Sequence, residues 1–192
     1  MEIIKFDLEE LKKKKTGFSY YVLGRSYDLE ENGVEQEYKT ALNYYKKGLE
    51  LNYPLCMYMI GISYEFGLGD ILPIDKEKAK EFLIKAKPEI IKLMNNRNAS
   101  KEERLYAKFT MGAYYYFGLG DVEKDESIAF MIINECAKEG HLAAIYDLGA
   151  NFYYNGVGTP KDIDLANYYL NLAKENGLPR AIKLSEKRMI KK

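Results

Sequence analysis

The sequence predicts an all-α protein, an α-solenoid of four helix-turn-helix repeats with a capping helix at each end. Three observations predict it: a seven-residue motif occurs four times, a glycine-rich turn follows each copy, and an alanine lies at a nearly constant distance beyond each turn. Self-similarity at a period of roughly 20–50 residues is typical of repeat architectures, in which each unit buries its apolar face against its neighbours.

The repeated motif consists of an aromatic residue, any residue, an apolar residue, glycine, two further residues and a second aromatic residue. Its copies are YVLGRSY (21–27), YMIGISY (58–64), FTMGAYY (109–115) and YDLGANF (146–152). The anchor glycines are Gly24, Gly61, Gly112 and Gly149. Their spacings are 37, 51 and 37 residues, so the second repeat carries an insertion. We expect helices to approach closely at Gly112 and Gly149, because glycine inside a helix otherwise costs roughly 0.5–1 kcal/mol relative to alanine.

Each repeat is predicted to contain two helices joined by the glycine-rich turn. Apolar residues recur at steps of three and four, as in IDLANYYLNLAKENG (163–177), which places them on one helix face. The alanines that mark the second helices are Ala41, Ala79, Ala129 and Ala166. The aspartates suited to cap three of these helices are Asp75, Asp125 and Asp162. Gly140 and Gly177 are predicted to end second helices.

The insertion covers residues 87–106, KPEIIKLMNNRNASKEERLY. Its apolar residues predict that a helix continues after Pro88 and breaks at residues 95–98. Ser100 and Glu103 have the spacing of a capping box that opens the next helix. Two interpretations remain open: a lengthened helical hairpin that alters the superhelix locally, or a contact that is specific to a partner.

Together these features resemble the Sel-1-like repeat, a relative of the tetratricopeptide repeat. The fourth repeat, AIYDLGANFYYNGVGTPKDIDLANYYLNLAKENGLPRA (144–181), carries the leucine–glycine pair, the Gly-x-Gly turn and the closing alanine of that family. The first repeat departs most, with Ser19 and Glu37 in place of the family's alanine and aspartate. The resemblance implies a right-handed α-solenoid that serves as a scaffold for binding other proteins.

We expect a single domain over residues 1–192. Its predicted parts are a cap at 1–17, repeats at about 18–54, 55–105, 106–142 and 143–178, and a cap at 179–192. Residues 3–15 are predicted to form the first capping helix, with Ile4, Leu8 and Leu11 on its apolar face. The lysines near both chain ends favour solvated helix faces, and a basic tail for membranes or nucleic acid is the alternative interpretation.

The charge composition argues against a general affinity for polyanions. Lysine and arginine together number 29, and aspartate and glutamate also number 29, so nothing points to nucleic acid as a partner. The N-terminus lacks the basic start and unbroken apolar core of a signal peptide. No run approaches the roughly 18 apolar residues of a membrane-spanning helix. We expect a cytoplasmic protein that does not associate with membranes, and we expect a monomer.

Residues suited to catalysis or metal binding are scarce. The single histidine, His141, follows a glycine in a turn between repeats, where we expect a structural role. Cys56 and Cys136 occupy small-residue positions of the repeat and are predicted to lie in the core. No Cys/His set has metal-ligand spacing, and the Gly-x-Gly turns lack the other residues of phosphate loops. The sequence therefore predicts no catalytic residue, no metal and no cofactor, and a protein that is not an enzyme.

The candidate site is the concave groove that the first helices of the repeats line. By analogy with tetratricopeptide repeats, three positions relative to the anchor glycine face this groove. The position three before gives an aromatic ladder, Tyr21, Tyr58, Phe109 and Tyr146. The position one after gives Arg25, Ile62, Ala113 and Ala150. The position four after gives Asp28, Glu65, Tyr116 and Tyr153.

This pattern favours the binding of a protein or peptide partner. Tyrosine supplies a large contact area with few rotatable bonds, and the small neighbours leave room for a ligand. Alternatively the ladder packs between repeats, as we expect for Tyr27, Tyr64, Tyr115 and Phe152. The predicted function is a non-catalytic scaffold or adaptor. A bacterial immunity protein that neutralises a toxin is the specific alternative, and an enzyme or enzyme regulator that uses the array as a substrate platform is the least favoured.

Overall fold

The computed structural model describes residues 2–189, in which there are ten helices and no β-strand. They are α1 (Leu8–Lys14), α2 (Gly17–Leu29), α3 (Tyr38–Glu50), α4 (Pro54–Phe66), α5 (Lys76–Asn95), α6 (Lys101–Phe117), α7 (Glu126–Lys138), α8, α9 (Ile163–Glu175) and α10 (Pro179–Met189). Helix α8 has three consecutive parts: α-helical Leu142–Asp147, π-helical Leu148–Phe152 and a last turn, Tyr153–Asn155. The predictions of an all-α protein and of about ten helices are confirmed.

Eight of these helices pair into four repeats that stack in chain order. The pairs are α2 with α3, α4 with α5, α6 with α7, and α8 with α9. Consecutive pairs meet where α3 contacts α4, where α5 contacts α6 and where α7 contacts α8. Because each repeat packs on the next one along the chain, the molecule is an α-solenoid.

The anchor glycines lie where the two helices of a repeat approach closely. A Cβ atom added at Gly112 would lie 2.7 Å from Cδ1 of Ile133. At Gly149 it would lie 2.7 Å from the backbone nitrogen of Leu170 and 2.8 Å from the backbone oxygen of Ala166. Neither position has room for a side chain without a shift of its neighbours. The predicted close approaches are confirmed.

The helix boundaries follow the predicted capping residues. The side chains of Asp75, Asp125 and Asp162 precede α5, α7 and α9, and each accepts a hydrogen bond from a backbone N–H in the first turn. Ser100 and Glu103 form the predicted capping box at the start of α6. Local side-chain chemistry therefore determines where these helices begin.

The N-terminal cap differs from the expected helix. Helix α1 begins only at Leu8, where Asp7 accepts hydrogen bonds from two N–H groups of the first turn. Residues 3–7 are not helical, and the Ile4 N–H donates to the Gly140 carbonyl at 3.1 Å. The predicted capping helix is wrong for this segment, because its backbone bonds to a turn so distant in sequence that local periodicity does not reveal the contact.

Gly140 makes this contact possible. Its φ of 90° lies in the left-handed region that side chains with a Cβ rarely adopt. A Cβ atom added there would also lie 2.0 Å from the backbone oxygen of Glu2. Glycine is therefore required twice at this turn, once for the backbone conformation and once for the close passage of the N-terminal segment.

The insertion lengthens one helical hairpin. Helix α5 continues through Pro88 to Asn95, and α6 is longer than the first helices of the other repeats. Tyr106, near the start of α6, contacts the rings of Phe6 and Phe18, with 5.8 Å between ring centroids in both pairs. The lengthened hairpin packs on the N-terminal segment, and a contact with a partner stays a prediction.

The C-terminal helix α10 contacts the first repeat. Its Lys183 forms an ion pair with Glu30, which lies just after α2. The two residues belong to opposite ends of the array, so these ends meet in the folded chain. Lys191 and Lys192, which belong to the predicted cap, lie outside the described residues.

Candidate binding groove

A cleft of about 320 Å³ lies among the first helices of the repeats. From α4 it is lined by Tyr58, Met59, Ile62, Ser63 and Phe66, and from α6 by Phe109, Thr110, Ala113 and Phe117. The charged side chains that line it are Arg25, Asp28, Asp147 and Arg180. The cleft is therefore mainly apolar and aromatic, with four charged groups contributed by α2, α8 and α10.

A smaller apolar pocket of about 60 Å³ adjoins the cleft, and we call it the side pocket. It lies between α6 and α8. The residues that line both cavities are Phe109, Ala113, Phe117 and Asp147. Tyr116 and Asn151 line the side pocket alone. Because four residues are common to both, the cleft and the side pocket form one groove along α6.

The aromatic ladder lies largely beneath the groove surface. Tyr21 is fully buried and does not line the cleft, and Tyr58 and Phe109 line it with only 7% and 9% of their surface exposed. Tyr146 is half-buried next to Arg180, whose guanidinium carbon lies 4.5 Å from the ring centroid. Tyr58 and Phe109 thus form part of the groove floor, and direct contact between the ladder and a partner stays a prediction.

The position one after the anchor glycine faces the cleft in the first three repeats. Its residues there are Arg25, Ile62 and Ala113. Ala113 also lines the side pocket, so it lies at the junction of the two cavities. Its small side chain leaves that junction open.

The position four after the anchor glycine has no common role. Asp28 lines the cleft and accepts a hydrogen bond from the Tyr45 hydroxyl at 3.0 Å. Burial raises the pKa of Asp28, although this hydrogen bond opposes the shift. Tyr116 lines the side pocket, whereas Glu65 forms an ion pair with Lys76 and is not part of the cleft lining.

The π-helical part of α8 shifts the fourth repeat by one residue relative to the others. In the first three repeats, the carbonyl three residues after the anchor glycine accepts the N–H of the residue before the second helix. Those acceptors are Tyr27, Tyr64 and Tyr115. In the fourth repeat the acceptor is Tyr153, four residues after the glycine, which receives the Asp162 N–H at 2.9 Å. The extra residue of a π-helical turn accounts for the difference.

Tyr153 consequently takes a packing position. It stacks on Tyr169 of α9 with 5.7 Å between ring centroids. Tyr27 and Tyr64 stack in the same manner on aromatic rings of α3 and α5. The shift also affects Ala150, which is 6% exposed and lines neither cavity, whereas the next residue, Asn151, lines the side pocket. The fourth repeat thus presents Asn151 where the sequence pattern predicts Ala150.

The sequence pattern does not predict two exposed aromatic residues of the cleft. Phe66 and Phe117 are each 50% exposed, and their ring centroids lie 5.3 Å apart. Each is the last residue of its helix and immediately precedes a Gly-x-Gly turn. An aromatic residue at that position in two consecutive repeats is the signal that could have identified them.

A largely buried charge cluster joins the first repeat to α10. The Glu31 carboxylate accepts hydrogen bonds from Arg25 at 2.8 Å and from Arg180 at 3.4 Å. The side chains of Arg25 and Glu31 are 7% and 12% exposed. Burial opposes the charge on Arg25, but the Glu31 carboxylate and the nearby hydroxyls of Tyr21 and Tyr106 together outweigh it and hold the pKa of the guanidinium well above its usual range. Arg25 is therefore a fixed cation in the cleft wall.

Aromatic rings surround this guanidinium. Its central carbon lies 5.8 Å from the Phe109 ring centroid. The His141 ring stacks on the same Phe109 ring, with 4.2 Å between the two centroids. The His141 Nδ1 accepts the Ala144 N–H at 3.2 Å and so caps α8. Burial, with the nearby arginine charges, lowers the pKa of His141 well below its usual range. The structural role predicted for this histidine is confirmed.

Asp147 lines both cavities, and no cation of the described residues lies at ion-pair distance from its carboxylate. It accepts one amide hydrogen bond, from Asn151 at 3.4 Å. Among the described side chains, none of the ion pairs within 4.0 Å involves its carboxylate. Burial raises the pKa of this carboxyl to about 6, although the charges of Arg180 and Arg25 oppose the shift.

The described residues contain neither a cluster suited to a metal ion nor a membrane-spanning helix. No group of three or more His, Cys, Asp or Glu side chains within residues 2–187 could hold a metal ion. Cys56 and Cys136 are buried free thiols, as predicted for small core residues. Across the described helices, none is long and apolar enough to cross a lipid bilayer.

The fold and the groove define a helical-repeat scaffold with a cleft among its first helices. The chain belongs to the Sel1 repeat family, whose model matches residues 17–53, 54–87, 105–141 and 142–178. Sel1 repeat proteins generally act as scaffolds for protein–protein interaction and are typically not enzymes.

Solved structures of Sel1 repeat proteins are similar to this chain at low identity. A Sel1 repeat protein from Oxalobacter formigenes is 24% identical with a TM-score of 0.40, over 94% of this chain and 48% of that one. The protective antigen c5321 of uropathogenic Escherichia coli is 22% identical with a TM-score of 0.44, over 92% and 35%. A sel1 repeat protein from Klebsiella pneumoniae is 14% identical with a TM-score of 0.46, over 94% and 81%. The chain thus spans less than half the length of the first two, and no protein of curated function matches it.

Proposed function

We propose that this protein is a non-catalytic scaffold that binds a protein or peptide partner in the groove along α6. The observation that carries the proposal is the exposed pair of Phe66 and Phe117 beside an open, mainly apolar cleft. Aromatic residues that keep half of their surface in water beside a cavity are typical of binding hot spots.

The exposed apolar surface extends beyond the aromatic pair. Ile74, in the turn after α4, is 60% exposed, and its Cγ1 would lie 3.4 Å from a Cβ added at Gly67. Ile71 of the same turn is 36% exposed. A partner that covers this turn and inserts a side chain into the cleft would bury a continuous apolar surface, which supplies most of the free energy of association.

Capture of partners on immobilised protein, followed by mass spectrometry, tests the proposal. Ala113→Phe should fill the junction of the cleft and the side pocket, and Phe117→Ala should remove half of the aromatic pair. Met131→Ala is the matched control, because Met131 is 57% exposed on α7 and lines neither cavity. We expect both groove variants to lose the captured protein while the control retains it.

Two results would contradict the proposal. In the first, all three variants capture the same protein as well as the parent does. In the second, no protein is captured more strongly by the parent than by Ala113→Phe. Circular dichroism must show that each variant keeps its helix content. If the captured protein is a toxin, the alternative of an immunity protein is favoured. The expected monomer is checked separately by light scattering of the chain alone.

A further inference from the structure

Four charged side chains line the cleft, and three of them have partners inside the protein. Arg25 and Arg180 both donate to the Glu31 carboxylate, at 2.8 and 3.4 Å. Asp28 accepts the Tyr45 hydroxyl at 3.0 Å. Among the described side chains, the fourth, Asp147, accepts a long amide hydrogen bond from Asn151 and takes part in no ion pair. Of the four charges in the cleft, the negative charge of Asp147 is therefore the one that the protein compensates least.

Where Asp147 faces α6, its surroundings are apolar. It lines both the cleft and the side pocket together with Phe109, Ala113 and Phe117. A carboxylate among aromatic and small apolar residues is poorly solvated, so a cation placed beside it gains more than it would at an open surface. Burial already raises the pKa of this carboxyl to about 6, against the opposing charges of Arg180 and Arg25.

We infer that the partner presents a lysine or arginine next to an aromatic or long aliphatic residue, the basic side chain pairing with Asp147 and the apolar one entering the cleft beside Ala113 and Phe117. This inference rests on the proposed function of the groove. An acidic segment is disfavoured because it would bring a second anion toward Asp147, and because both arginines of the cleft already form ion pairs with Glu31.

A displayed library of random peptides tests the inference. Selections run in parallel on the parent chain, on Ala113→Phe and on Asp147→Asn, which keeps the size of the side chain and removes its charge. We expect the peptides that bind the parent but not Ala113→Phe to be enriched in Lys or Arg beside an aromatic or aliphatic residue. Asp147→Asn should lose the preference for the basic residue.

One enriched peptide is then synthesised with its lysine intact and with lysine replaced by methionine. Since the chain contains no tryptophan, a tryptophan added at the end of the peptide reports binding without background from the protein. We expect the methionine peptide to bind the parent at least tenfold more weakly. This comparison uses the parent chain alone, so it holds even if Asp147→Asn folds poorly.

The failures are distinguishable. Peptides that depend on an open cleft but show no basic residue, or show acidic ones, would overturn the inference and leave the groove as the binding site. Equal binding of the lysine and methionine peptides would overturn it as well. A selection without any peptide that depends on the cleft would overturn both the inference and the proposed function.

Discussion

Glu31 and Arg180 lie at opposite ends of the array, yet the Arg180 guanidinium donates a hydrogen bond to the Glu31 carboxylate at 3.4 Å. The same carboxylate accepts from Arg25 of the first repeat. In a solenoid whose repeats contact only their neighbours, the two ends would remain apart. Here the Glu31 carboxylate, in the turn after α2, joins the first repeat to α10. Residues of both α2 and α10 line the cleft.

Loss of the Glu31 charge should destabilise the fold. Glu31→Gln leaves the buried Arg25 guanidinium without its counter-ion, which we expect to lower the free energy of unfolding by about 3 kcal/mol. The neighbouring variant Glu30→Gln is the control, because its partner Lys183 is 61% exposed and the pair contributes at most about 1 kcal/mol. Urea denaturation of both variants measures the difference, and equal stabilities would contradict the structural role of the cluster.

Neutralising Asp147 should stabilise the protein at neutral pH. The folded-state pKa of about 6 lies above the ordinary value of 3.8, so between about pH 4 and 6 the folded chain binds more protons than the unfolded chain. The free energy of unfolding of the parent therefore falls as pH rises through this window. Asp147→Asn has no ionisable carboxyl at this position and does not lose this stability. We expect its free energy of unfolding to exceed that of the parent by about 1–3 kcal/mol at pH 7.5.

The difference between Asp147→Asn and the parent should nearly vanish at pH 3.5, where the carboxyl is mostly protonated in both states. Chemical denaturation at the two pH values checks this expectation. A difference that is constant with pH would show that the effect of the substitution is steric and that Asp147 has an ordinary pKa.

The two glycines of the later repeats should differ in their tolerance of a methyl group. At Gly149 the added Cβ meets backbone atoms of Leu170 and Ala166, which move only with their helix, and we expect Gly149→Ala to cost about 2 kcal/mol or more. At Gly112 the nearest atom is Cδ1 of the Ile133 side chain, which can rotate away. The gain in helix propensity should offset much of the cost there. Thermal melts that rank the variants in the opposite order would contradict this.

The aromatic ladder and the packing aromatics should respond differently to truncation. Tyr115 packs against buried apolar residues of both halves of the array, so Tyr115→Ala should lower the free energy of unfolding by about 3 kcal/mol. Tyr146 is half-buried beside Arg180, and if it contacts the partner, Tyr146→Ala should weaken binding by about 2 kcal/mol, roughly thirtyfold. Titration with the captured partner and a thermal melt separate the two effects. Equal losses of stability would assign Tyr146 to the core.

The local features of this protein follow from neighbouring residues. The aspartate caps, the Ser100–Glu103 capping box and the glycines between close helices all agree with expectation, because each depends on groups within a turn of one another or on a residue too small to be replaced. The exposed pair of Phe66 and Phe117 was also visible in principle, since both precede a Gly-x-Gly turn.

The sequence by itself therefore determined the all-α class, the four repeats and their family. Only the tertiary structure decided which residues face it. The π-helical turn at Gly149 shifts Ala150 and Tyr153 out of their predicted positions, and the Glu31–Arg180 contact closes the array onto itself. The physical reason is that helical periodicity reports spacing along one chain segment. The extra residue of a π-helical turn and a charge pair between distant segments both depend on tertiary packing, which this periodicity does not encode.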